Sequence, residues 1–230
     1  MRDVIVFDVN ETLLDVGQLR PRFEEVLPAS LMSLWFTKML HNSLVANSIG
    51  LHAPFDQQGT AALIAVGSAH GVDIARERAA RVVEGMIELP AHSDVVPALE
   101  MLSRHGFRLA ALTNSSQVYL DAQIEHAGLT HYFASLLSVD AVQLFKPAPQ
   151  TYRYAADQLG VPIGRTRLIA AHDWDVSGAI RAGAKAGFVS RTGQALGALS
   201  EVPDLIADSM VGVAEQIVAD AGQEAAKTPS

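Results

Sequence analysis

The chain has 230 residues, 49% hydrophobic and 18% charged, a composition that provides ample core and excludes a disordered chain. Its formal net charge of -8 and pI near 5.4, with no cluster of Lys and Arg, argue against a nucleic-acid surface and for a small-molecule partner. Cysteine is absent, which excludes disulfides, thiolate catalysis and Cys-ligated metal sites and leaves the chemistry to Asp, Lys, His, Ser or Thr.

The chain opens on Val4-Ile5-Val6-Phe7, an apolar run of strand length, and then abruptly presents Asp8. In an open parallel sheet the carboxyl ends of the strands face the ligand crevice, so Asp8 is either a nucleophile on a rigid strand or a cap for the segment that follows. This stretch alone leaves both open. No secretory pattern stands at the start and no apolar run is long enough to span a membrane, which fits a cytoplasmic enzyme without a membrane partner. From about 19 to 88 the pattern is helical: Leu31, Leu34, Trp35, Met39 and Leu40 are spaced for one apolar face, and further helices are predicted over 59–69 and 74–89. We read 16–91 as an all-helical cap inserted into a core made of 1–15 and 92–222. The small, polar end from 221 is expected to fray, with 223–230 a flexible tail.

From Val95 onward helix and strand alternate: a helix through Leu102, a strand over 109–112, a helix over 118–127 and a strand over 135–138. A helix over 150–159, a strand over 168–171, a helix over 176–184 and a strand over 187–190 follow. Such alternation predicts an α/β fold, a parallel sheet with helices on both faces. Gly106, Gly128, Gly160, Gly183 and Gly187 sit where helices are expected to stop.

The strand ends carry the polar groups. The 109–112 strand runs into Thr113-Asn114-Ser115-Ser116, where hydroxyls, an amide and free backbone N–H groups suit an anion, or where the serines serve as plain N-caps. Lys146 is followed by Pro147, which restrains the backbone; beside a carboxylate nucleophile this Lys would keep it ionised, and otherwise it is a solvated surface cation. The 168–171 strand ends in His172-Asp173-Trp174-Asp175, where one acid is expected to cap the next helix and the other to be available for function. The remaining histidines lie singly, without the spacing of a metal site.

Asp8 with Thr12, Thr113-Asn114, Lys146-Pro147 and the run Asp175-Val176-Ser177-Gly178-Ala179 stand in an order that resembles the haloacid dehalogenase superfamily over nearly the whole chain. The resemblance implies a Rossmann-like parallel sheet with helices on both faces (the HAD fold) plus an inserted all-helical cap. Phosphatase members of that superfamily carry an acid/base Asp two residues after the nucleophile and a magnesium-binding Asp before the last acid. This chain has Asn10, Ala170 and Ala171 there, which disfavours phosphoryl transfer, although Asp173 stands as an alternative ligand. Tyr152 six residues after Lys146, Trp174-Asp175 and Arg191-Thr192-Gly193 are similar to the L-2-haloacid dehalogenase (type II) group, which works without magnesium.

That resemblance implies a hydrolytic dehalogenase of short 2-haloalkanoic acids with no cofactor. Asp8 would attack the carbon bearing the halogen, and water would then hydrolyse the aspartyl ester to a 2-hydroxy acid. It further implies that Lys146 orients Asp8, that Thr12 and Thr113 hydrogen-bond nucleophile or substrate, and that Asn114 borders the leaving halide. Tyr152 would steady Lys146, and Asp175 would orient the Lys or activate water. A homodimer through the stripe of residues 31–40 is likewise implied.

Three positions depart from the group's pattern. The cap Arg expected after Leu34-Trp35 is Phe36, with Lys38 and His41 as nearby substitutes. An aromatic and a glycine after the nucleophile are Asn10 and Glu11. A Ser-Ser-Asn before the last Trp-Asp is Ala170-Ala171-His172, leaving His172 either to orient water or to serve as a hydrogen-bonded structural imidazole. A magnesium-dependent phosphatase and a catalytically impaired member that binds a small carboxylate are the alternative readings.

Overall fold

The structure, a computed structural model, describes residues 3–227. β1 (Val4–Phe7) is buried at every position, as a parallel strand covered on both faces must be. A wholly helical segment follows: α1 (Arg20–Glu24), α2 (Met32–Ile49), α3 (Phe55–Ala69) and α4 (Arg76–Glu84), the last continued by a 3-10 turn over Gly85–Glu88. α5 (Val95–Arg104) then leads to β2 (Arg108–Thr113). The remainder alternates as α6 (Gln117–His126), β3 (Ser135–Ser138), α7 (Pro149–Leu159), β4 (Thr166–Ala170), α8 (Asp173–Ala182) and β5 (Lys185–Val189). It closes with β6 (Leu205–Ala207) and α9 (Met210–Lys227).

The six strands form one parallel sheet in the order β3-β2-β1-β4-β5-β6, the α/β architecture expected from the alternation. β1 is central, and the chain crosses over it to lay β2 and β3 on one side and β4 to β6 on the other. A topological switch point therefore falls at the carboxyl end of β1, where open α/β sheets bind ligands.

Several details differ from the sequence reading. β6 and α9 were not foreseen, because a three-residue edge strand carries too little apolar periodicity to stand out. α9 runs past residue 222 to Lys227, so the expected tail is helical as far as it is described, and 228–230 lie outside the described residues. The helix expected over 74–89 is interrupted at Gly85, where a Cβ would lie 2.6 Å from Arg22 Cδ. Gly187 stops no helix. It lies within β5, where a Cβ would approach Ile169 Cδ1 to 2.8 Å and the Ile169 side chain would have to shift. The α2 stripe is divided: Trp35 and Met39 are fully buried while Leu34 is 46% exposed.

The interior of the inserted helices is built around Trp35. Its ring lies 5.7 Å from that of Phe23, and Nε1 donates to the Gly59 carbonyl at 2.9 Å. Gly59 lets α3 approach α2, since a Cβ would sit 2.9 Å from Met39 Sδ. The insert is then pinned to the sheet domain by Asn47 on α2. Its Nδ2 donates to the Phe145 carbonyl at 2.8 Å, and its Oδ1 accepts from the Phe145 N–H at 2.9 Å. One side-chain amide thereby satisfies both backbone groups of the residue before Lys146. Asn47→Ala is expected to cost about 1–3 kcal/mol by leaving those groups unpaired; a urea unfolding midpoint equal to wild type would contradict this.

Candidate active site

The register of the sheet sets the site. Phe7 pairs with Ala111 on one side and Ile169 on the other, so the carboxyl ends of β1, β2 and β4 open on the same edge of the sheet. Asp8 extends the ladder by one bond, its N–H donating to Ile169 O at 3.0 Å, and its side chain emerges into the crevice 5% exposed. Thr12 lies on the turn behind it: Thr12 Oγ1 donates to Asp8 Oδ2 at 2.6 Å and accepts from the Ala171 N–H at 2.9 Å. The cap role left open for Asp8 is thereby closed, since both of its oxygens face side-chain donors.

Lys146 is buried to 1% and is no surface cation. Its Nζ donates to Asp8 Oδ1 at 2.7 Å, to Asp175 Oδ2 at 2.6 Å and to the Leu112 carbonyl at 3.1 Å, which uses all three ammonium protons. Tyr152 touches Asp175 rather than the Lys: its hydroxyl donates to Asp175 Oδ1 at 2.6 Å, so it supports Lys146 through the carboxylate. The backbone before Lys146 is fixed by Asn114, whose Oδ1 accepts from the Lys146 N–H at 2.8 Å. Gly178 makes room for this packing; a Cβ there would fall 2.5 Å from both Pro147 Cβ and the Tyr152 hydroxyl.

The charges follow from this geometry. Burial works to raise the Asp8 carboxyl, but the Lys146 ammonium, reinforced by the His172 ring, holds it well below the usual carboxylate range. Burial works to lower Lys146, and the Asp175 and Asp8 carboxylates more than offset it, so the amine is held above its ordinary value. Asp175 is raised by burial, against the pull of Lys146 and with a push from Asp8. Burial and the neighbouring Asp175 carboxylate push the Tyr152 hydroxyl well up, keeping it a donor.

The pocket in front of Asp8 is lined by Asn10, Phe36, Leu40, Phe55, Thr113, Asn114, Lys146, His172 and Trp174. Phe36, Leu40, Phe55 and Trp174 form its apolar wall, and Asn10, Thr113, Asn114, Lys146 and His172 its polar one. Thr12, Tyr152 and Asp175 stand behind this surface. His172 is the N-cap of α8 by position and makes no side-chain cap bond, while Asp173 Oδ1 accepts from the first-turn Trp174 N–H at 2.8 Å, so Asp173 serves the helix start as expected for one of the two acids. Asp173 turns away, its Oδ2 accepting from Ser200 Oγ at 2.7 Å and from the Gly197 N–H at 3.2 Å.

Three expected members play different parts. Asn10 lines the pocket with its amide already engaged: Nδ2 donates to Ser115 Oγ at 3.1 Å, and Oδ1 accepts from Gln123 Nε2 at 2.9 Å. Thr113 Oγ1 accepts from the Ser115 N–H at 3.2 Å, completing the turn after β2. Glu11 does not line the pocket; it lines the adjoining cleft with Asp15, Arg191 and Gln194, and burial raises its carboxyl against the pull of His172. Its φ of 66° lies in the left-handed region that favours glycine, at a cost of roughly 1–2 kcal/mol. Of the suggested substitutes for the cap Arg, Lys38 does not line the pocket, and His41 borders an adjoining recess that reaches Lys146. Sequence reading missed Asn47 and Gln123, each a polar residue inside a helix whose partner is distant in the chain, and missed Phe55 as a pocket wall.

The side chains do not fit magnesium. The space between Asp8 and Asp175 is filled by the Lys146 ammonium, the Asn10 amide is engaged, and the suggested alternative ligand Asp173 points to Ser200.

A family model described as haloacid dehalogenase-like hydrolase matches residues 2–183. The chain is 30% identical to an (S)-2-haloacid dehalogenase of Pseudomonas sp. (strain YL), over 95% of this chain and 96% of that one. It is 27% identical to haloacetate dehalogenase H-2 of Moraxella sp. (strain B), over 94% and 97%. The structure of L-2-haloacid dehalogenase from Xanthobacter autotrophicus with chloropropionic acid covalently bound superposes with a TM-score of 0.89 at 23% identity, over 94% of this chain and 98% of that one. At that identity the superposition establishes the shared fold.

The shared ammonium makes a direct prediction. Lys146→Gln leaves two buried carboxylates facing each other and is expected to cost about 3–5 kcal/mol, part of which Asp8→Asn in the same chain should restore. Unfolding by urea measures both, and a single variant as stable as wild type would contradict the geometry.

Proposed function

Because the chain belongs to the haloacid dehalogenase-like hydrolase family, we propose that it is a hydrolytic dehalogenase that converts short 2-haloalkanoic acids into 2-hydroxy acids. The observation that carries this reading is the Lys146 ammonium bridging Asp8 and Asp175 at 2.7 and 2.6 Å. A fixed cation there keeps Asp8 an ionised nucleophile without a divalent ion and leaves it facing a pocket walled on one side by Phe36, Leu40, Phe55 and Trp174, which suits attack on carbon. The names of the relatives, an (S)-2-haloacid dehalogenase and a haloacetate dehalogenase, support the substrate class.

In this reaction an Asp8 oxygen forms a bond to the carbon bearing the halogen as the carbon–halogen bond breaks, inverting that carbon and leaving an aspartyl ester. Water then adds to the Asp8 carbonyl carbon and the product alcohol leaves. Lys146 and Thr12 hold the two Asp8 oxygens, Asp175 and Tyr152 hold Lys146, and Asn114 with Thr113 forms the rim where halide departs. Phe36, Phe55 and Trp174 keep bulk water from the nucleophile, with residues 16–91 acting as a cap. The same reading carries a cytoplasmic location and a homodimer; the latter is supported by Leu34, Val45, Ile49 and Leu51, exposed apolar side chains on and just after α2.

Phe36, standing where the group has a cationic side chain, favours the second reading: a family member that binds a small carboxylate without turning it over. Halide release separates the two. Incubated with (S)-2-chloropropionate or chloroacetate in the presence of EDTA, the protein is expected to release halide over many turnovers, and Asp8→Asn to lose at least about 10³-fold of that rate, beyond the 10²–10⁴ ascribed to general acid–base groups at its lower end. No release across a panel of haloacids, or release that requires added magnesium, would overturn the proposal.

A further inference from the structure

Hydrolysis of the ester requires a group that takes a proton from water, and the described side chains around Asp8 narrow the choice. Lys146 already carries its proton and uses all three donors. Asp175 is fully buried, with Oδ2 on Lys146 and Oδ1 under the Tyr152 hydroxyl, so water reaches neither oxygen without breaking the ion pair. Thr12 is committed to Asp8 and the Ala171 N–H, Asn10 to Ser115 and Gln123, and Asn114 to the Lys146 N–H. Amides and hydroxyls are in any case too weakly basic.

His172 differs from all of these. The residue is 6% exposed, and its ring is held between two aromatic planes, 6.0 Å and 21° from Phe36 and 5.3 Å and 26° from Trp174. Its Nδ1 lies 3.5 Å from Asp8 Oδ2, beyond ordinary hydrogen-bond length. Among the described residues neither ring nitrogen has a hydrogen-bond partner, so His172 is not the hydrogen-bonded structural imidazole considered from the sequence. Buried ring nitrogens are normally satisfied; here stacking sets the orientation, Nδ1 is turned toward the Asp8 carboxylate and Nε2 has no protein partner. The charged groups that face the ring are Asp8 and, from the adjoining cleft, Glu11.

Resting on the dehalogenase reading, we propose that His172 is a catalytic residue, the base of the hydrolytic half-reaction. The oxygen of water bonds to Asp8 Cγ while one water proton passes to a His172 ring nitrogen. The tetrahedral adduct collapses by breaking the bond between Cγ and the substrate oxygen, and that oxygen takes the proton from the imidazolium and departs as the hydroxyl of the 2-hydroxy acid. Asp8, left as a carboxylic acid beside Lys146, returns its proton to His172 and thence to solvent, and is again the nucleophile. Phe36 is then part of the device: the ring that stands in place of a cap cation stacks on the base and holds it toward Asp8.

Rapid-quench kinetics with (S)-2-chloropropionate test this, with intact-protein mass spectrometry at each time point. His172→Gln is expected to release about one halide per site in a burst and then to turn over at least about 10²-fold more slowly than wild type, with the acid's mass accumulated on the protein. His172→Ala should accumulate the same ester and regain turnover when imidazole is added. Wild-type turnover in His172→Gln would overturn the assignment, as would loss of the halide burst in step with turnover in both variants. A wild-type protein that releases no halide would instead sink the dehalogenase reading beneath it.

Discussion

A single ammonium group shared by two buried carboxylates organises this protein. Three charges taken out of water are costly individually, and they are tolerable because Lys146 meets Asp8, Asp175 and a backbone carbonyl with all three of its protons. The cluster is not arranged for stability alone. A hydrophobic replacement would avoid the desolvation cost; what the charges provide is a carboxylate kept ionised in a pocket with aromatic walls. Burial would otherwise neutralise Asp8, and the cation at its back keeps it ionised, which is the state the proposed attack on carbon requires.

The rest of the fold can be understood as what holds that ammonium in place. Parallel register brings the carboxyl ends of β1, β2 and β4 to one edge, which puts Asp8 and Asn114 within reach of the loop that carries Lys146. α8 delivers Asp175 from the other side, and Gly178 one turn further on lets Tyr152 close over it. The inserted helices contribute from above: Asn47 fixes the backbone of Phe145, next to Lys146, while Phe36, Leu40 and Phe55 shut the pocket. The inserted helices and the charge cluster are thus joined at one residue pair, and displacement of α2 would be felt at Lys146.

Much of this was legible in the order of residues. The abrupt acid after an apolar run, the Lys-Pro pair and the acidic end of a later strand could each be placed at one rim by the βα alternation, because parallel strands put their carboxyl ends on the same side. Less could be read of partnerships. Nothing local distinguishes Asn47 or Gln123 from a surface amide, since each finds its partner about a hundred residues away. Trp35, Met39 and Leu34 share one spacing yet divide between interior and surface, because the packing of α3 and the closeness allowed by Gly59 decide which side of α2 is covered. Glu11, in a backbone conformation that favours glycine, likewise became interpretable only when its side chain was seen to leave the pocket.

The central claim is that Asp8 attacks carbon and is regenerated by water at its own carbonyl. Turnover of a haloacid in heavy-oxygen water, followed by mass spectrometry of the peptide containing Asp8, reads that claim at the atom concerned. After many cycles the account requires heavy oxygen in the Asp8 carboxylate. Heavy oxygen found solely in the hydroxy acid, with Asp8 unlabelled, would mean that water had displaced the halide directly, and the account would be wrong.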